Sequence, residues 1–405
     1  MTKNTKEYAG KILIIVENLP VPFDTRVWQE AKGLAEEGYK VNIICPTGKG
    51  FEKKYEYIDN ISIYRHPMPK EGSDFIGYLN EYATALSHEF YLSLTVLFKE
   101  GFDVIHACNP PDNIFLIAAF YKLFGKKFVF DHHDICPELY LCKFNKKNIL
   151  YFLLLLFEKL TFKFADISIA TNESYKEIAI QRGKMDTDKV FVVRSGPDLN
   201  RLIIRPSDIS IKRKKYLISY IGVIGKQEGL DYLIEAAKYI KNVKERNDIQ
   251  YSIIGDGTYL YEIKQKCNQY GLNDIFDFTG RISDDKMLKI LNTADICVNP
   301  DEYNEMNDKS TMNKVLEYMA LGKPIVQFDL KEGKYSAQDS SLYANKNDYT
   351  DFAEKILFLL DNEELRVKMG QIGRKRIEEL LCWDKSKLEL IKAYNFLFKK
   401  TKGNS

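Results

Sequence analysis

A chain of 405 residues with 45% apolar content is long enough to form two domains, each with its own core. Its 59 basic and 57 acidic side chains leave a formal charge of +2, too weak a field to argue for nucleic acid. The seven cysteines (45, 108, 136, 142, 267, 297, 382) form no CxxC pair and no metal-ligand spacing with histidine. They read as small buried residues of a reducing cytosol.

Residues 1–9 are polar and lack the apolar core of a signal peptide. The longest apolar run, 149–157, has nine residues, too short to cross a bilayer, so the chain is expected to be soluble or peripheral. Residues 11–16, KILIIV, form a continuous β-type run, as in a central parallel strand covered on both faces. After a loop with two prolines, Asp24 or Thr25 caps a helix with Val27, Ala31, Leu34 and Ala35 on its apolar face. Gly38 stops that helix, and 41–45 is a second buried strand. The first loop of this βαβ unit lies at the carboxyl edge of the sheet, where ligands sit in open α/β folds. Arg26 opposes the helix dipole from the first turn, and either faces an anionic ligand or points to solvent.

Strands follow at 61–65, 104–106, 128–130, 166–170 and 190–193, with an aromatic-rich helix over 75–98 and another beginning at 109–112. The strand at 128–130 runs into DHHDICPE, 131–138. Two of the five histidines stand there beside Asp131, Asp134 and Glu138, which supports an active-site hypothesis. The alternative is a capped turn with one histidine bonded to backbone. Metal binding is rejected, because no third or fourth ligand is evident. Residues 143–163 read either as a helix lying on an anionic membrane surface or as a buried helix with basic ends. The uninterrupted Leu run favours the second.

Residues 205–215 are short, charged and poorly periodic, as in a linker. Strands at 216–221, 251–254, 275–279 and 296–299 each lead into a turn or helix, and the first three exits carry Gly222 and Gly225, Gly255 and Gly257, and Gly280. Glycines at such exits let backbone amides approach phosphate. The last strand delivers the chain to NDKSTMNKVLEYMALGKPIVQFD at 307–329. Ser310 and Thr311 are candidate N-caps, Val315, Leu316, Met319 and Ala320 give an apolar face, Gly322 and Pro324 end the helix, and 325–328 is a strand. Lys314 and Glu317, three residues apart, share a face. A cation, an anion and a helix N-terminus suit a sugar nucleotide, with phosphate on Lys314 and ribose hydroxyls on Glu317. A surface ion pair is the alternative. Residues 361–394 are helical, with Trp383 as a packing anchor.

These pieces recur in a known order: DTRVWQEAKGLAEEGYKVNIICP at 24–46, DHHDICPE at 131–138, VVRSGPDL at 192–199, YIGVIGKQEGLDYLIEAA at 220–237, IIGDGTY at 253–259, FTGRIS at 278–283 and KVLEYMALGKPIV at 314–326. Over essentially its whole length the chain resembles the GT-B glycosyltransferases of family 4, and most of all the bacterial enzymes that build surface polysaccharides. The resemblance implies an α/β fold of two Rossmann-like, doubly wound parallel-sheet domains facing across a cleft. An acceptor-side domain would span 1–204, a linker 205–215 and a nucleotide-sugar domain 216–383, with a terminal helix, 384–405, packing back toward the first domain.

The resemblance also implies roles. Glu317 would hold the ribose, Lys314 the diphosphate, and Arg281 with Ile282 would frame the base. His133 would stand beside the donor sugar as the catalytic position, supported by Asp134 and Glu138. Gly225, Lys226, Asp308, Lys309, Ser310, Arg26 and Arg194 complete the expected substrate-binding set. Two places depart from the family pattern: Lys309 stands eight residues before Glu317 where an acid is usual, and Val223 and Glu228 stand where Arg and Lys are common, leaving Lys226 as a substitute. No cofactor and no metal are expected, since Lys side chains and helix N-termini can offset charge on the leaving diphosphate. The expected activity is retaining transfer of a hexose or N-acetylhexosamine, from a UDP-sugar, to a lipid-linked or growing glycan at the cytoplasmic membrane face. Alternatives are a UDP-N-acetylglucosamine epimerase of the same architecture and a non-catalytic nucleotide-sugar-binding protein.

Overall fold

The computed structural model describes residues 8–68 and 75–402, so most of the polar stretch 1–9 lies outside the described residues. The chain forms two compact units: residues 1–195 with 386–405, and residues 196–385.

The first unit holds eight strands: β1 (Lys11–Val16), β2 (Lys40–Pro46), β3 (Tyr55–Ile58), β4 (Ile61–His66), β5 (Val104–Cys108), β6 (Lys127–His132), β7 (Ile167–Ala170) and β8 (Val190–Val192). They lie in the order β3-β4-β2-β1-β5-β6-β7-β8, parallel except for β3, which pairs antiparallel with β4. Central β1 is buried from Ile12 to Val16, which is why its sequence is apolar without alternation. Around the sheet run α1 (Thr25–Glu36), α2 (Phe75–Lys99), α3 (Phe115–Lys122), α4 (Cys136–Phe144), α5 (Ile149–Phe164) and α6 (Glu173–Gln181). Asp24 caps α1 by accepting from the amide of Val27 at 3.1 Å.

The second unit has a six-stranded, all-parallel sheet in the order β11-β10-β9-β12-β13-β14. Its strands are β9 (Tyr216–Ile221), β10 (Ile249–Ile254), β11 (Phe276–Gly280), β12 (Ile296–Asn299), β13 (Ile325–Phe328) and β14 (Ser341–Ala344). Its helices are α7 (Leu230–Asn242), α8 (Leu260–Gln269), α9 (Asp284–Thr293), α10 (Glu305–Lys309), α11 (Asn313–Ala320), α12 (Lys331–Ala337), α13 (Tyr349–Leu360) and α14 (Glu363–Arg376). A last helix, α15 (Trp383–Lys402), belongs to the first unit from Ser386 on, where Tyr394 is fully buried with its ring 5.6 Å from that of Tyr39.

Two sequence expectations change. The division falls after Ser195, and 205–215 is no free linker. Its backbone is tied to α9, with the amides of Arg205 and Asp208 donating to Asn292 Oδ1 and Thr293 Oγ1, both at 2.9 Å. Residues 143–163 are also less buried than their Leu run suggests. On α5, Glu158, Thr161 and Phe162 turn inward while Ile149, Phe152 and Leu156 are exposed.

Candidate functional site

Each unit gathers a charged cluster at the carboxyl ends of its strands. In the first unit Arg26, in the first turn of α1, is buried rather than solvated. Its NH2 nitrogen lies 2.9 Å from both Asp131 and Glu30, and NH1 donates to Val193 O (2.8 Å) and Ser195 Oγ (3.1 Å). The side chain that opposes the helix dipole is thus held by two buried carboxylates. Against the cost of burial, Arg26 and His133 hold Asp131 well below the usual carboxylate range.

Asp131 is the hub. Its Oδ2 lies 2.6 Å from Nε2 of His133 and 3.1 Å from Nε2 of His106, whose Nδ1 meets the Tyr394 hydroxyl at 2.7 Å. Arg26 Nε donates to the same Nε2 of His133 at 2.8 Å, so the guanidinium and the Asp131 carboxylate meet the ring at one nitrogen and fix its orientation. Asn109 fixes the turn itself, accepting from the amides of His133 (2.6 Å) and Asp134 (3.1 Å). The two adjacent histidines therefore separate by environment. His132 sits among Phe130, Phe162 and Tyr175, and burial pushes it down to about 3, so it is a neutral core residue. The His133 side chain is 14% exposed.

Of the two expected supports of His133, Asp134 interacts with it by charge, while Glu138 is turned to Arg182. Asp131 and Arg26 contact the ring directly. Glu138 is engaged by Arg182, at 2.7 and 3.1 Å, together with Glu158. Asp134 is pushed up by burial, and its carbonyl accepts from Asn109 at 2.6 Å. Arg194 is buried just beyond β8. Glu30, Asp131 and His133, or His106, Cys108 and Asp131, bring ligand atoms close enough to hold a metal ion. In the first set the Arg26 guanidinium already supplies the cation.

In the second unit Lys314 is buried at the start of α11, and Glu317 follows on the same helix. Lys314 Nζ donates to Glu228 Oε2 (2.5 Å) and Asp301 Oδ1 (2.7 Å) and lies 5.1 Å from the centre of the Tyr220 ring. Burial pushes Asp301 up to about 7, against the pull of Lys314. Glu317 accepts from Arg201 at 3.1 Å, and Arg201 also grips Asp284 at 2.7 and 3.1 Å. Lys314 and Glu317 therefore do not pair with each other.

No side chain caps α11: Met312 holds the N-cap position, and Ser310 instead donates to Met306 O at 2.7 Å as the closing residue of α10. The glycines pack loops on one another. A Cβ on Gly255 would stand 1.8 Å from Gly222 O, and one on Gly229 2.0 Å from Pro300 O. Gly225 precedes the short turn at 226–228, where Lys226 is exposed. Asp308 accepts from the amide of Lys331 (3.0 Å), and Lys309 lies 3.8 Å from Glu305. Arg281 is exposed just past β11, and Ile282 packs on the α9–α11 core.

Sequence reasoning missed Glu30, His106, Tyr394, Arg201, Asp284 and Asp301 as members of these clusters. Glu30 left a signal: it stands i+4 from Arg26 within the apolar stripe of α1, where an acid needs a buried partner. Tyr394 left none, since its partner lies 288 residues away.

Residues 24–201 match the family model described as Glycosyltransferase Family 4, and residues 205–376 that described as Glycosyl transferases group 1. An uncharacterized glycosyltransferase of Methanocaldococcus jannaschii is 24% identical over 401 residues, covering 96% of this chain and 98% of its own. The capsular polysaccharide biosynthesis glycosyltransferase CapM of Staphylococcus aureus is 24% identical over 64% of this chain and 68% of its own. Among solved structures, sucrose-phosphate synthase of Thermosynechococcus elongatus superposes with a TM-score of 0.78 at 17% identity, covering 96% of this chain and all of that one. Anabaena HepE, solved in complex with UDP and glucose, gives 0.74 at 16% identity, covering 95% and 99%.

Proposed function

The chain belongs to the GT-B glycosyltransferases of the family 4 type, and from that premise we propose that it moves a hexose or N-acetylhexosamine from a UDP-sugar to a lipid-linked or growing surface glycan. The observation that carries the donor half is α11. It begins with no side-chain cap and presents a buried lysine and a carboxylate within its first two turns. Free amides and Lys314 suit a diphosphate, and Glu317 suits the two ribose hydroxyls. Arg281 and Ile282, at the end of β11, would flank the base.

In the first unit His133 is the group that would meet the donor sugar. Asp131 and Arg26 Nε orient the ring from its Nε2 side, and Arg26 keeps Asp131 ionised. Leaving-group charge would be offset by Lys314 and the α11 amides. The reading is metal-independent, with front-face attack and retention, and the Arg26 guanidinium beside Asp131 and Glu30 supports the first of these.

A peripheral membrane site also belongs to this reading. No helix among the described residues is long and apolar enough to cross a membrane. Leu116, Phe120, Leu123 and Phe124 on and after α3, and Ile149, Phe152 and Leu156 on α5, are exposed. Lysines 122, 126, 127, 143, 146, 147, 159 and 163 surround them in sequence, a combination suited to an anionic lipid surface.

The test is a panel of UDP- and GDP-sugars followed by melting temperature, then incubation of the stabilising donor with a lipid-linked glycan. Product formation that falls about 100-fold or more in His133→Ala, with nucleotide binding kept, is expected. Epimerised donor formed without any acceptor would contradict transfer.

A further inference from the structure

The terminal helix carries a hydroxyl into the core beside the first cluster. Leu390, Ala393, Tyr394 and Leu397 form a buried stripe on α15 at helical spacing, and packing alone would be served at the third place by a phenylalanine. A phenol there must find a partner for its oxygen. Tyr394 finds one on the sheet. Its hydroxyl lies 2.7 Å from His106 Nδ1, and the two rings stack at 22° with centroids 6.2 Å apart. The Tyr39 ring, 5.6 Å away, packs on it as well.

His106 stands on β5, where Cys108 pairs with Asp131 of β6, so His106, Cys108 and Asp131 share one face of the sheet. The imidazole is fully buried and both its nitrogens are met. Nε2 lies 3.1 Å from Asp131 Oδ2, with Glu30 Oε2 beyond at 3.5 Å. Asp131, held ionised by Arg26 and His133 against the cost of burial, only accepts, so His106 Nε2 carries the hydrogen. In the neutral ring Nδ1 is then the acceptor and Tyr394 the donor. Burial, with Glu30, Cys108 and Asp131 nearby, pushes Tyr394 well above the usual phenol range, so its oxygen keeps that hydrogen. Asp131 Oδ2 joins this chain to the site, since His133 Nε2 lies 2.6 Å from the same oxygen, while Oδ1 is taken by Arg26 at 2.9 Å.

We propose that Tyr394 is a positioning residue for His133, acting through His106 and Asp131. The hydroxyl fixes the His106 tautomer, the hydrogen on His106 Nε2 fixes Asp131 Oδ2, and that oxygen fixes the His133 ring. Removing the hydroxyl leaves Nδ1 an unmet buried acceptor, which is costly. The imidazole shifts to recover a partner, its bond to Oδ2 weakens, and the loosened carboxylate no longer holds His133 in one orientation. The terminal helix, remote in sequence from both histidines, thereby completes a site that β5 and β6 begin. The coupling between the rings rests on these contacts alone, and its effect on turnover rests on the transferase reading.

Nitrogen NMR of the full chain, with its five histidines labelled in the ring, tests this. His106 is expected to show hydrogen on Nε2 and an accepting Nδ1. In Tyr394→Phe, which keeps the ring packing, the signals of His106 and His133 should both move while those of His66 on β4 and His88 on α2 stay. The same variant is expected to lower kcat about tenfold, near the worth of one hydrogen bond, with donor KM and UDP affinity unchanged. Tyr39→Phe, which removes a hydroxyl from the ring packed against Tyr394 but none from the chain of bonds, should leave kcat and both signals as they are. Hydrogen on His106 Nδ1 in the unaltered chain, a reading that needs no variant, would overturn the proposal. So would an unchanged kcat, or unmoved His133 signals, in folded Tyr394→Phe. Movement of both histidines in a chain that transfers sugar from no nucleotide donor would defeat the transferase reading and leave the coupling standing.

Discussion

Lys314 carries its charge into a pair of carboxylates, Glu228 and Asp301, before any ligand arrives. A diphosphate must compete with both. Asp301, pushed up to about 7 by burial, loses its charge below that pH and then releases Lys314 toward phosphate. UDP affinity is therefore expected to rise as pH falls from about 8 to about 6, and to flatten in Asp301→Asn. Glu228→Gln should bind UDP several-fold more tightly at neutral pH; a pH-independent affinity unaffected by either change would contradict this. The spacing of Lys314 and Glu317 and the departure at Glu228 were legible in the sequence. Their partners were not, because Glu228 lies 86 residues from Lys314 and Arg201 lies 116 from Glu317. Local pattern identifies a charged residue but not what neutralises it. DHHDICPE illustrates the same limit: the motif marked the place, yet only packing shows that His132 is a core residue and that Asp131 holds His133.

At the scale of elements, continuous apolar runs flanked by glycine or proline gave most strands within one or two residues, since a parallel strand covered on both faces has one simple signature. Edge strands β3 and β14 escaped, being half-exposed, and β3 runs antiparallel. Glycine positions were also visible, but their reason lay in tertiary packing. Gly229 has φ of +65° and no room for a Cβ beside Pro300 O. Gly229→Ala is expected to cost about 3 kcal/mol of stability from strain and overlap together, measured by denaturant unfolding. A loss below about 0.5 kcal/mol would show that the loop yields easily. The exposed apolar residues of α3 and α5 make a second prediction at this scale. Leu123→Ser with Phe124→Ser should reduce sedimentation with vesicles rich in anionic lipid and leave UDP binding intact. Unchanged sedimentation, or none in the unaltered chain, would remove membrane contact from the account.

Across the whole molecule, two parallel sheets with polar strand exits place one charged cluster in each unit. The first centres on a histidine held by Asp131, the second on a helix that starts uncapped beside a buried lysine. Two-domain architecture and family were legible because ordered motifs ran through nearly the full length. The dividing point was less so, because the charged stretch after residue 204 is fastened to α9 by backbone bonds that composition does not reveal. Crystals of the full chain soaked in UDP give the most direct test of the central claim. The ribose hydroxyls are expected on Glu317, and the diphosphate at Lys314 and the first amides of α11. Nucleotide density elsewhere, with the Lys314–Glu228–Asp301 cluster undisturbed, would contradict it.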